Sequence, residues 1–242
     1  MIIAIIQARL GSTRLPKKVF ADIEKKPLIW HVVDRLKSSK KIDKIIIATT
    51  NNSIDNDLEG WAKIEGVKLY RGSENNVLER FYFAAKQYSA DIVVRITADD
   101  PFKDPVIIDS VIENLINKKL DFCYNNNPPT FPEGLDAEVF TFNAIERAYF
   151  NCLNDFEKEH VTQYMYKNKT HFKQFNILNK KNLSNFRWTI DTKLDYEMVK
   201  QVYKHLYNPN RIFLMDDILE LLDERPEISE INKNVLRSNM YK

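Results

Sequence analysis

A short loop rich in cations follows the first apolar run of the chain. The eleven residues from Ala8 to Lys18 contain Gly11, two hydroxyl side chains and four basic side chains. Small residues leave backbone N–H groups accessible, and guanidinium groups bind phosphate oxygens in pairs, so the loop is predicted to bind a polyphosphate. It matches neither a P-loop nor a dinucleotide-binding fingerprint, because both need more glycines. A basic loop that is merely solvated is the alternative.

Three aspartates have the chemistry and the position to bind a metal ion. Asp99 and Asp100 follow the apolar run Asp91–Thr97, and Asp191 follows a later run. One or two carboxylates together with phosphate oxygens form the usual protein site for Mg²⁺. The alternative for each aspartate is the N-cap of the next helix. Asp104, which precedes a proline, is the better cap for the helix after Asp99, so Asp99 is less well explained as a structural residue.

The elements that must position these residues are short strands alternating with amphipathic helices. Four runs have the length and β-branched composition of buried strands: Ile2–Gln7, Lys44–Thr50, Val67–Arg71 and Asp91–Thr97. Helical spacing between the runs predicts right-handed βαβ units. We therefore expect an α/β fold with a doubly wound, mostly parallel sheet. Ligands bind such sheets beyond the carboxyl ends of the strands, where the basic loop and the aspartates would meet.

The second half of the chain has a different pattern. Its predicted elements are two antiparallel strands, two helices and a further strand: Asp121–Asn126, Leu135–Phe142, 143–153, 157–167 and His171–Leu178. We interpret residues 121–185 as a β-rich excursion within a single domain of residues 1–242. A strand at Phe186–Ile190 is expected to rejoin the sheet. Such small sheets are marginal alone, and one antiparallel pair cannot cover the apolar residues of this segment, so it is expected to pack against something else.

Charge and cysteine content exclude several classes of protein. The 242 residues contain 36 Lys and Arg against 34 Asp and Glu, a net charge of +2, so nothing indicates nucleic acid as a partner. No apolar run approaches the ~18 residues of a membrane span, so no membrane association is expected. Cys123 and Cys152 are too far apart for a metal or redox pair and are interpreted as reduced thiols of a cytoplasmic protein.

Several motifs occur in one order over residues 1–225. The first is IIQARLGSTRLPKKVF, a central one is VVRITADDPFKDP, and a late one is FRWTIDT. They resemble the cytidylyltransferases that make CMP-activated sugar acids, such as the acylneuraminate and 3-deoxy-manno-octulosonate enzymes, and most of all the SpsF branch of spore coat polysaccharide biosynthesis proteins. The resemblance implies the Rossmann-like fold of nucleotide-diphospho-sugar transferases, CTP as substrate and Mg²⁺ as cofactor.

The resemblance also implies roles for individual residues. Residues matched to the CTP triphosphate and its surroundings are Ala8, Arg9, Ser12, Arg14 and Lys18, to which the loop composition adds Gly11. Arg80 matches a nucleotide-side arginine. Asp99 and Asp191 match the Mg²⁺ ligands, and with Arg9 and Lys18 they form the expected catalytic set. Family members are commonly homodimers that exchange an arm from the second half of the chain, so residues 121–185 are expected to form a dimerisation arm.

The acceptor site is less well defined by the sequence. Arg95 precedes the Asp99 loop and Arg187 precedes Asp191, and either guanidinium can pair with a substrate carboxylate. An intramolecular ion pair, with Glu138 or Asp136, is the alternative. Glu138 and His160 lie in family-like motifs and are expected to line the acceptor pocket, although His160 can equally be a hydrogen-bonded residue of the core.

The function expected from these observations is Mg²⁺-dependent transfer of CMP from CTP to a small acidic acceptor. A nonulosonic or other 3-deoxy sugar acid is the family default, pyrophosphate is released, and surface polysaccharide or glycoconjugate biosynthesis is the context. One alternative is a nucleotide-sugar-dependent glycosyltransferase, which predicts an Asp-x-Asp motif rather than adjacent aspartates. The other is a non-catalytic nucleotide-binding module, against which the intact catalytic set argues.

Overall fold

A seven-stranded sheet with helices on both faces forms the body of the protein. The structure, a computed structural model, describes residues 1–12 and 14–236. Thr13, in the predicted phosphate loop, and residues 237–242, at the end of the predicted domain, lie outside the described residues. The strands are β1 Ile2–Gln7, β2 Asp22–Ile23, β3 Lys26–Pro27, β4 Lys44–Thr50, β5 Lys68–Gly72, β6 Ile92–Thr97, β7 Phe122–Tyr124, β8 Glu138–Thr141 and β9 Gln174–Asn176.

The helices alternate with the strands in the first half of the chain and cluster in the second half. They are α1 Leu28–Lys37, α2 Asn56–Ile64, α3 Val77–Gln87, α4 Pro105–Asn117, α5 Phe142–Asn151, α6 Asp155–Glu159, α7 Gln163–Lys167, α8 Lys193–Leu206, α9 Met215–Glu224 and α10 Pro226–Glu230. Within the described ranges, none of them combines the length and the apolar character needed to span a bilayer.

The strand order of the large sheet is β5-β4-β1-β6-β8-β7-β9, and β2 and β3 form a separate two-stranded ribbon. The pairs β5–β4, β4–β1 and β1–β6 are parallel, as expected for βαβ units. Next to them β8 runs antiparallel to β6, β7 antiparallel to β8, and β9 parallel to β7. The predicted fold class, an α/β protein with a mostly parallel doubly wound sheet, is confirmed.

Alternating side chains of the central strands fill two cores, one on each face of the sheet. In β1, Ala4 and Ile6 point into the core formed with α1, α4, α8 and α9. Ile3 and Ile5 point into the core formed with α3, α5 and α7. A strand that is apolar on both faces must be covered on both, which explains the continuous apolar run in the sequence.

Residues 121–185 differ from the predicted excursion, because their three strands continue the main sheet. Apolar residues of this segment, such as Phe122, Val139 and Phe140, are therefore buried in the chain's own core. The helix predicted at 157–167 is divided into α6 and α7, because Val161 between them has a positive φ of 49° that interrupts helical hydrogen bonding.

The strand predicted at Phe186–Ile190 is absent from the described fold. Its backbone bonds are divided between two loops: Trp188 N–H donates to the Glu133 carbonyl at 2.7 Å, and Ile190 N–H donates to the Asp99 carbonyl at 2.9 Å. No single neighbour runs along the segment, so a ladder cannot form. The second of these bonds nevertheless brings Asp191 beside Asp99.

Candidate active site

Two adjoining cavities open at the carboxyl ends of β1 and β6. The loop cavity, about 270 Å³, is lined by Gln7, Ala8, Arg9, Gly11, Ser12, Arg14, Lys18, Val19, Thr97, Ala98, Asp99 and Asp191. The acidic cavity, about 250 Å³, is lined by seven carboxylates and three cations among its fifteen residues. Both cavities share a junction of five residues: Gln7, Arg14, Thr97, Asp99 and Asp191. The basic loop and the two aspartates Asp99 and Asp191 therefore meet at one edge of the sheet, as predicted.

Lys18 lies between the two aspartates of the junction. Its Nζ donates to Asp99 Oδ2 at 2.6 Å, to Asp191 Oδ1 at 2.8 Å and to the Ile190 carbonyl at 3.0 Å. A left-handed residue, Lys17 with φ 53°, turns the backbone just before Lys18. Burial would lower the pKa of Lys18, but Asp99 and Asp191 outweigh it and the pKa is raised. Lys18 is therefore a fixed positive charge at the point that both carboxylates face.

Neither aspartate serves as a helix cap. Asp104 caps α4 by accepting bonds from the backbone N–H groups of Val106 and Ile107 at 2.9 and 3.2 Å. The side chain of Thr192, in a capping box with Asp195, caps α8. Neither Asp99 nor Asp191 therefore stabilises a helix terminus, and both carboxylates line the cavities.

The junction has the donor set that suits a divalent cation. Asp99 Oδ2 and Asp191 Oδ1 approach one ammonium nitrogen within 2.8 Å, so both oxygens face a common point. Two carboxylates with phosphate oxygens are a sufficient Mg²⁺ site. In the described part of the chain no group of three or more His, Cys, Asp or Glu side chains has the arrangement of a metal centre. Lys18 Nζ lies at that common point, so any metal held by these two carboxylates must lie beside it and take further ligands from its substrate or from water.

The arginines of the loop are only lightly held. Arg9 Nη1 lies 3.4 Å from Glu74 with about half of its side chain exposed, and Arg14 Nη2 lies 3.2 Å from Asp191 with 68% exposed. Exposed pairs of this kind contribute little to stability, so these guanidinium groups can turn to an incoming anion.

Arg80 lines neither cavity. It is buried in α3, and its Nη1 donates to the Ser73 carbonyl at 2.6 Å. Burial, with a further contribution from Arg9, lowers its pKa to about 10. This predicted nucleotide-side residue is therefore not among the residues that line the loop cavity.

Three of the four predicted acceptor residues, Arg95, Glu138 and His160, line the acidic cavity. Arg95 and Glu138 form a buried ion pair that lines the cavity, and Thr162 and Tyr166 donate to Glu138 Oε1 at 2.8 and 2.9 Å. His160 also lines the cavity, and burial lowers its pKa. The intramolecular pairing with Glu138 that was the alternative for Arg95 is therefore present.

Arg187 lies behind the junction and lines neither cavity. Its guanidinium is surrounded by Glu133, Asp191 and Asp195, with N–O distances of 2.8 to 3.2 Å. Arg187 therefore forms intramolecular ion pairs, which was the alternative to binding the acceptor. Its partners are not Glu138 or Asp136, the two carboxylates expected from the sequence.

Sequence reasoning missed a buried ion pair in the acidic cavity. Lys103 Nζ lies 2.8 Å from Asp100 Oδ2 and donates to the Asp136 carbonyl at 2.5 Å, while Thr97 Oγ1 donates to Asp100 at 2.5 Å. Burial raises the pKa of Asp100, with Lys103 opposing. The spacing of three residues between Asp100 and Lys103 is the one signal in the sequence, and it has no meaning until the loop is folded. Gln7, the last residue of β1, was detectable from its position beside the loop.

Comparison with known proteins identifies the family of the chain. The cytidylyltransferase family model matches residues 3–236. Spore coat polysaccharide biosynthesis protein SpsF from Bacillus subtilis is 35% identical over 84% of this chain and 86% of its own length. The structure of a cytidylyltransferase from Leptospira borgpetersenii has a TM-score of 0.90 at 33% identity, covering 98% of this chain and 99% of the other.

A more distant structure shares the fold. CMP:2-keto-3-deoxy-manno-octonic acid synthetase, solved in complex with CTP, has a TM-score of 0.65 at 16% identity, covering 85% of this chain and 99% of that one. The family match over nearly the whole chain, together with the full-length similarity to the Leptospira protein, completes the assignment: this chain belongs to the cytidylyltransferase family.

Proposed function

We propose that the protein transfers CMP from CTP to a small acidic acceptor, with Mg²⁺ as cofactor and release of pyrophosphate. One observation carries the proposal: Asp99, Asp191 and Lys18 meet at a single point where a cationic loop cavity joins a second cavity. Nucleotidyl transfer needs such a point, because the phosphate charge must be neutralised while the acceptor approaches from the other side.

In the proposed reaction the loop cavity binds the triphosphate and the acidic cavity binds the acceptor. Arg9, Arg14 and Lys18 orient the phosphate oxygens, and the backbone N–H groups near Gly11 add further donors. Asp99 and Asp191 would hold Mg²⁺, which when bound neutralises charge on the phosphates. An acceptor oxygen forms a bond to the α-phosphorus, and the bond to pyrophosphate breaks on the side of the loop cations.

The acceptor class follows from the charges of the acidic cavity and from the relatives. Arg95 and Lys103 are buried in ion pairs, whereas Arg14 at the junction is largely exposed. Arg14 lines both cavities, so it can bind a phosphate oxygen from one side and an acceptor carboxylate, close to the reacting oxygen, from the other. In a 3-deoxy-2-keto sugar acid the carboxylate and the anomeric hydroxyl share a carbon, which fits. The names of the B. subtilis relative and of the 2-keto-3-deoxy-manno-octonic acid synthetase support this acceptor class and a role in surface polysaccharide biosynthesis.

Pyrophosphate release tests the proposal. The protein is incubated with Mg²⁺, each of the four nucleoside triphosphates and a panel of sugar acids that includes 3-deoxy-manno-octulosonate. We expect release only with CTP plus an acid, and a CMP adduct by mass spectrometry. Asp191→Asn serves as the control for contaminating activity. Release with a purine nucleotide, or glycosyl transfer from a nucleotide sugar, would contradict the proposal.

We also propose that the protein is a cytoplasmic homodimer assembled through residues 121–185. Both cysteines are free thiols, and such thiols suit a reducing compartment. Phe150, Leu153 and Phe156, three apolar residues within seven positions of this segment, are 69%, 87% and 44% exposed. We take them as the exposed cluster of the proposed two-fold interface.

Charge placed on this cluster tests the assembly. Leu153→Glu should convert the dimer to a monomer in light scattering at tens of micromolar, because it buries a carboxylate in the interface. Ile64→Glu, at an equally exposed apolar position in α2, is the matched control and should remain a dimer. A wild-type monomer at this concentration would refute the proposed dimer.

A further inference from the structure

The guanidinium of Arg187 has no donor left for a substrate. Its Nε and Nη2 donate to the two oxygens of Asp195 at 2.9 and 3.2 Å, and Nη1 donates to Glu133 at 2.8 Å. The remaining N–H groups reach Asp191 Oδ2 at 3.1 Å and the Leu236 carbonyl at 3.5 Å. All five N–H groups of an arginine are thereby used. An acceptor carboxylate would have to displace one of these buried partners.

These bonds fix the orientation of the Asp191 carboxylate. Arg187 holds Oδ2, so Oδ1 is the oxygen that faces Lys18 at 2.8 Å and Arg14 at 3.2 Å. The backbone N–H of Asp191 is held as well, by Asp195 Oδ2 at 3.1 Å. Side chain and backbone are therefore constrained together, and one oxygen only is presented to the junction.

The support of Arg187 extends to the C-terminal part of the described chain. Asp195 is fully buried, and its Oδ1 accepts a bond from Asn232 Nδ2 at 3.0 Å. The same Nδ2 donates to the Arg187 carbonyl at 2.9 Å. Asn232, beyond α10, thus connects the backbone of Arg187 to the carboxylate that orients its guanidinium. Neither Asp195 nor Asn232 is among the residues that line the loop cavity or the acidic cavity.

We infer that Arg187 is a positioning residue, oriented by Asp195 and Asn232, that presents Asp191 Oδ1 to the divalent cation brought with CTP. The inference rests on the proposed function, because it assumes a cation between Asp99 and Asp191. It replaces the expected contact between Arg187 and the acceptor with a role in cation binding.

Asp195→Asn is the most informative variant. The asparagine keeps one oxygen acceptor for the α8 cap but loses the charge and one of the two oxygens that orient Arg187. Free Mn²⁺ is measured by electron paramagnetic resonance in the presence of saturating CTP. We expect the variant complex to bind Mn²⁺ about tenfold more weakly, while the affinity for CTP in EDTA stays that of the wild type. Turnover lost at low Mg²⁺ should return at high Mg²⁺ in Asp195→Asn and not in Asp191→Asn.

Asp104→Asn is the matched control, since Asp104 is also a buried aspartate that caps a helix but contacts no residue of the junction. It should lower the melting temperature without changing Mn²⁺ affinity. Asn232→Ala is the second variant and should weaken Mn²⁺ binding in the same direction, through loss of the bond to Asp195.

The outcomes separate the two proposals. A wild-type complex with CTP that binds no Mn²⁺ would overturn the proposed function itself. A wild-type complex that binds Mn²⁺, with folded Asp195→Asn and Asn232→Ala complexes that bind it equally well, would overturn the positioning role alone. Weaker Mn²⁺ binding in Asp104→Asn to the same degree would also overturn it, because the effect would then follow from any lost buried carboxylate.

Discussion

The two cavities beside the junction hold their charges in opposite ways. In the loop cavity Arg9 is about half exposed and Arg14 more so, and each has one carboxylate contact longer than 3 Å. Lys18 is the exception in this cavity, because both aspartates of the junction hold it. In the acidic cavity Arg95 and Lys103 are almost fully buried in ion pairs. The first arrangement leaves cations available to an anion, and the second has already neutralised them.

This difference implies two modes of recognition. A triphosphate carries several negative charges, and a cavity with loosely held guanidinium groups can bind it at little cost in lost contacts. Opening a buried pair is far more costly, because the remaining partner stays charged and desolvated. The acidic cavity is therefore expected to select its ligand by shape and hydrogen bonding, with charge recognition confined to Arg14 at the junction.

The largest effect is expected at the junction, which belongs to both cavities. Asp99→Asn removes one of the two carboxylates that face Lys18, and turnover should fall about a thousandfold, a loss of about 4 kcal/mol in transition-state stabilisation. Steady-state kinetics at saturating CTP and Mg²⁺ measures it, and circular dichroism checks the fold. Turnover within a few fold of wild type would mean that one carboxylate is sufficient.

The next prediction compares how much an ion pair in each cavity contributes to the stability of the fold. Glu138→Gln removes the charge that pairs with buried Arg95, so the free energy of unfolding should fall by about 3 kcal/mol. Glu74→Gln breaks the exposed pair with Arg9 and should cost less than about 1 kcal/mol. Urea denaturation of both variants gives the comparison directly. Equal losses would show that the two cavities do not differ in how firmly their ion pairs are held.

Some parts of the site could be predicted from the sequence and others could not. The loop that ends at Lys18 follows one buried strand and Asp99 closely follows another. Strand periodicity locates the carboxyl ends of these strands, so the convergence of Lys18 and Asp99 was predictable. Glu138 could be named only as one of two candidate partners of Arg95. Of the carboxylates around Arg187, Asp191 and Asp195 are close in sequence, but Glu133 comes from a distant segment for which local patterns carry no signal. Glu133 reaches Arg187 only because Phe186–Ile190 bonds to a loop rather than to a strand. The distant partner of Arg187, Glu133, therefore could not be predicted from the sequence.

A smaller effect, on CTP affinity, is expected from Arg14, the exposed cation that lines both cavities. Arg14→Ala should weaken CTP binding about tenfold, or about 1.4 kcal/mol, and should reduce the dependence of the affinity on salt. Calorimetric titration at two ionic strengths measures both. Arg95→Met, in the acidic cavity, is the comparison and should leave CTP affinity unchanged. If Arg95→Met weakens CTP binding as much as Arg14→Ala, the assignment of CTP to the loop cavity is wrong.

The smallest effect concerns the pH dependence of stability on the acidic side. Burial lowers the pKa of His160 below its ordinary 6.5, so between those two values the unfolded chain binds more protons than the folded one. Stability should therefore fall as the pH drops from about 7.5 to 5, the range in which histidines titrate. Because His31 is buried too, with a pKa of about 4, the wild-type curve alone cannot isolate His160. The difference between wild type and His160→Gln does so: we expect the wild type to lose stability relative to the variant across this range. A difference that stays constant with pH would show that His160 is as well solvated as a surface histidine, and that the wall of the acidic cavity is more open than its paired charges imply.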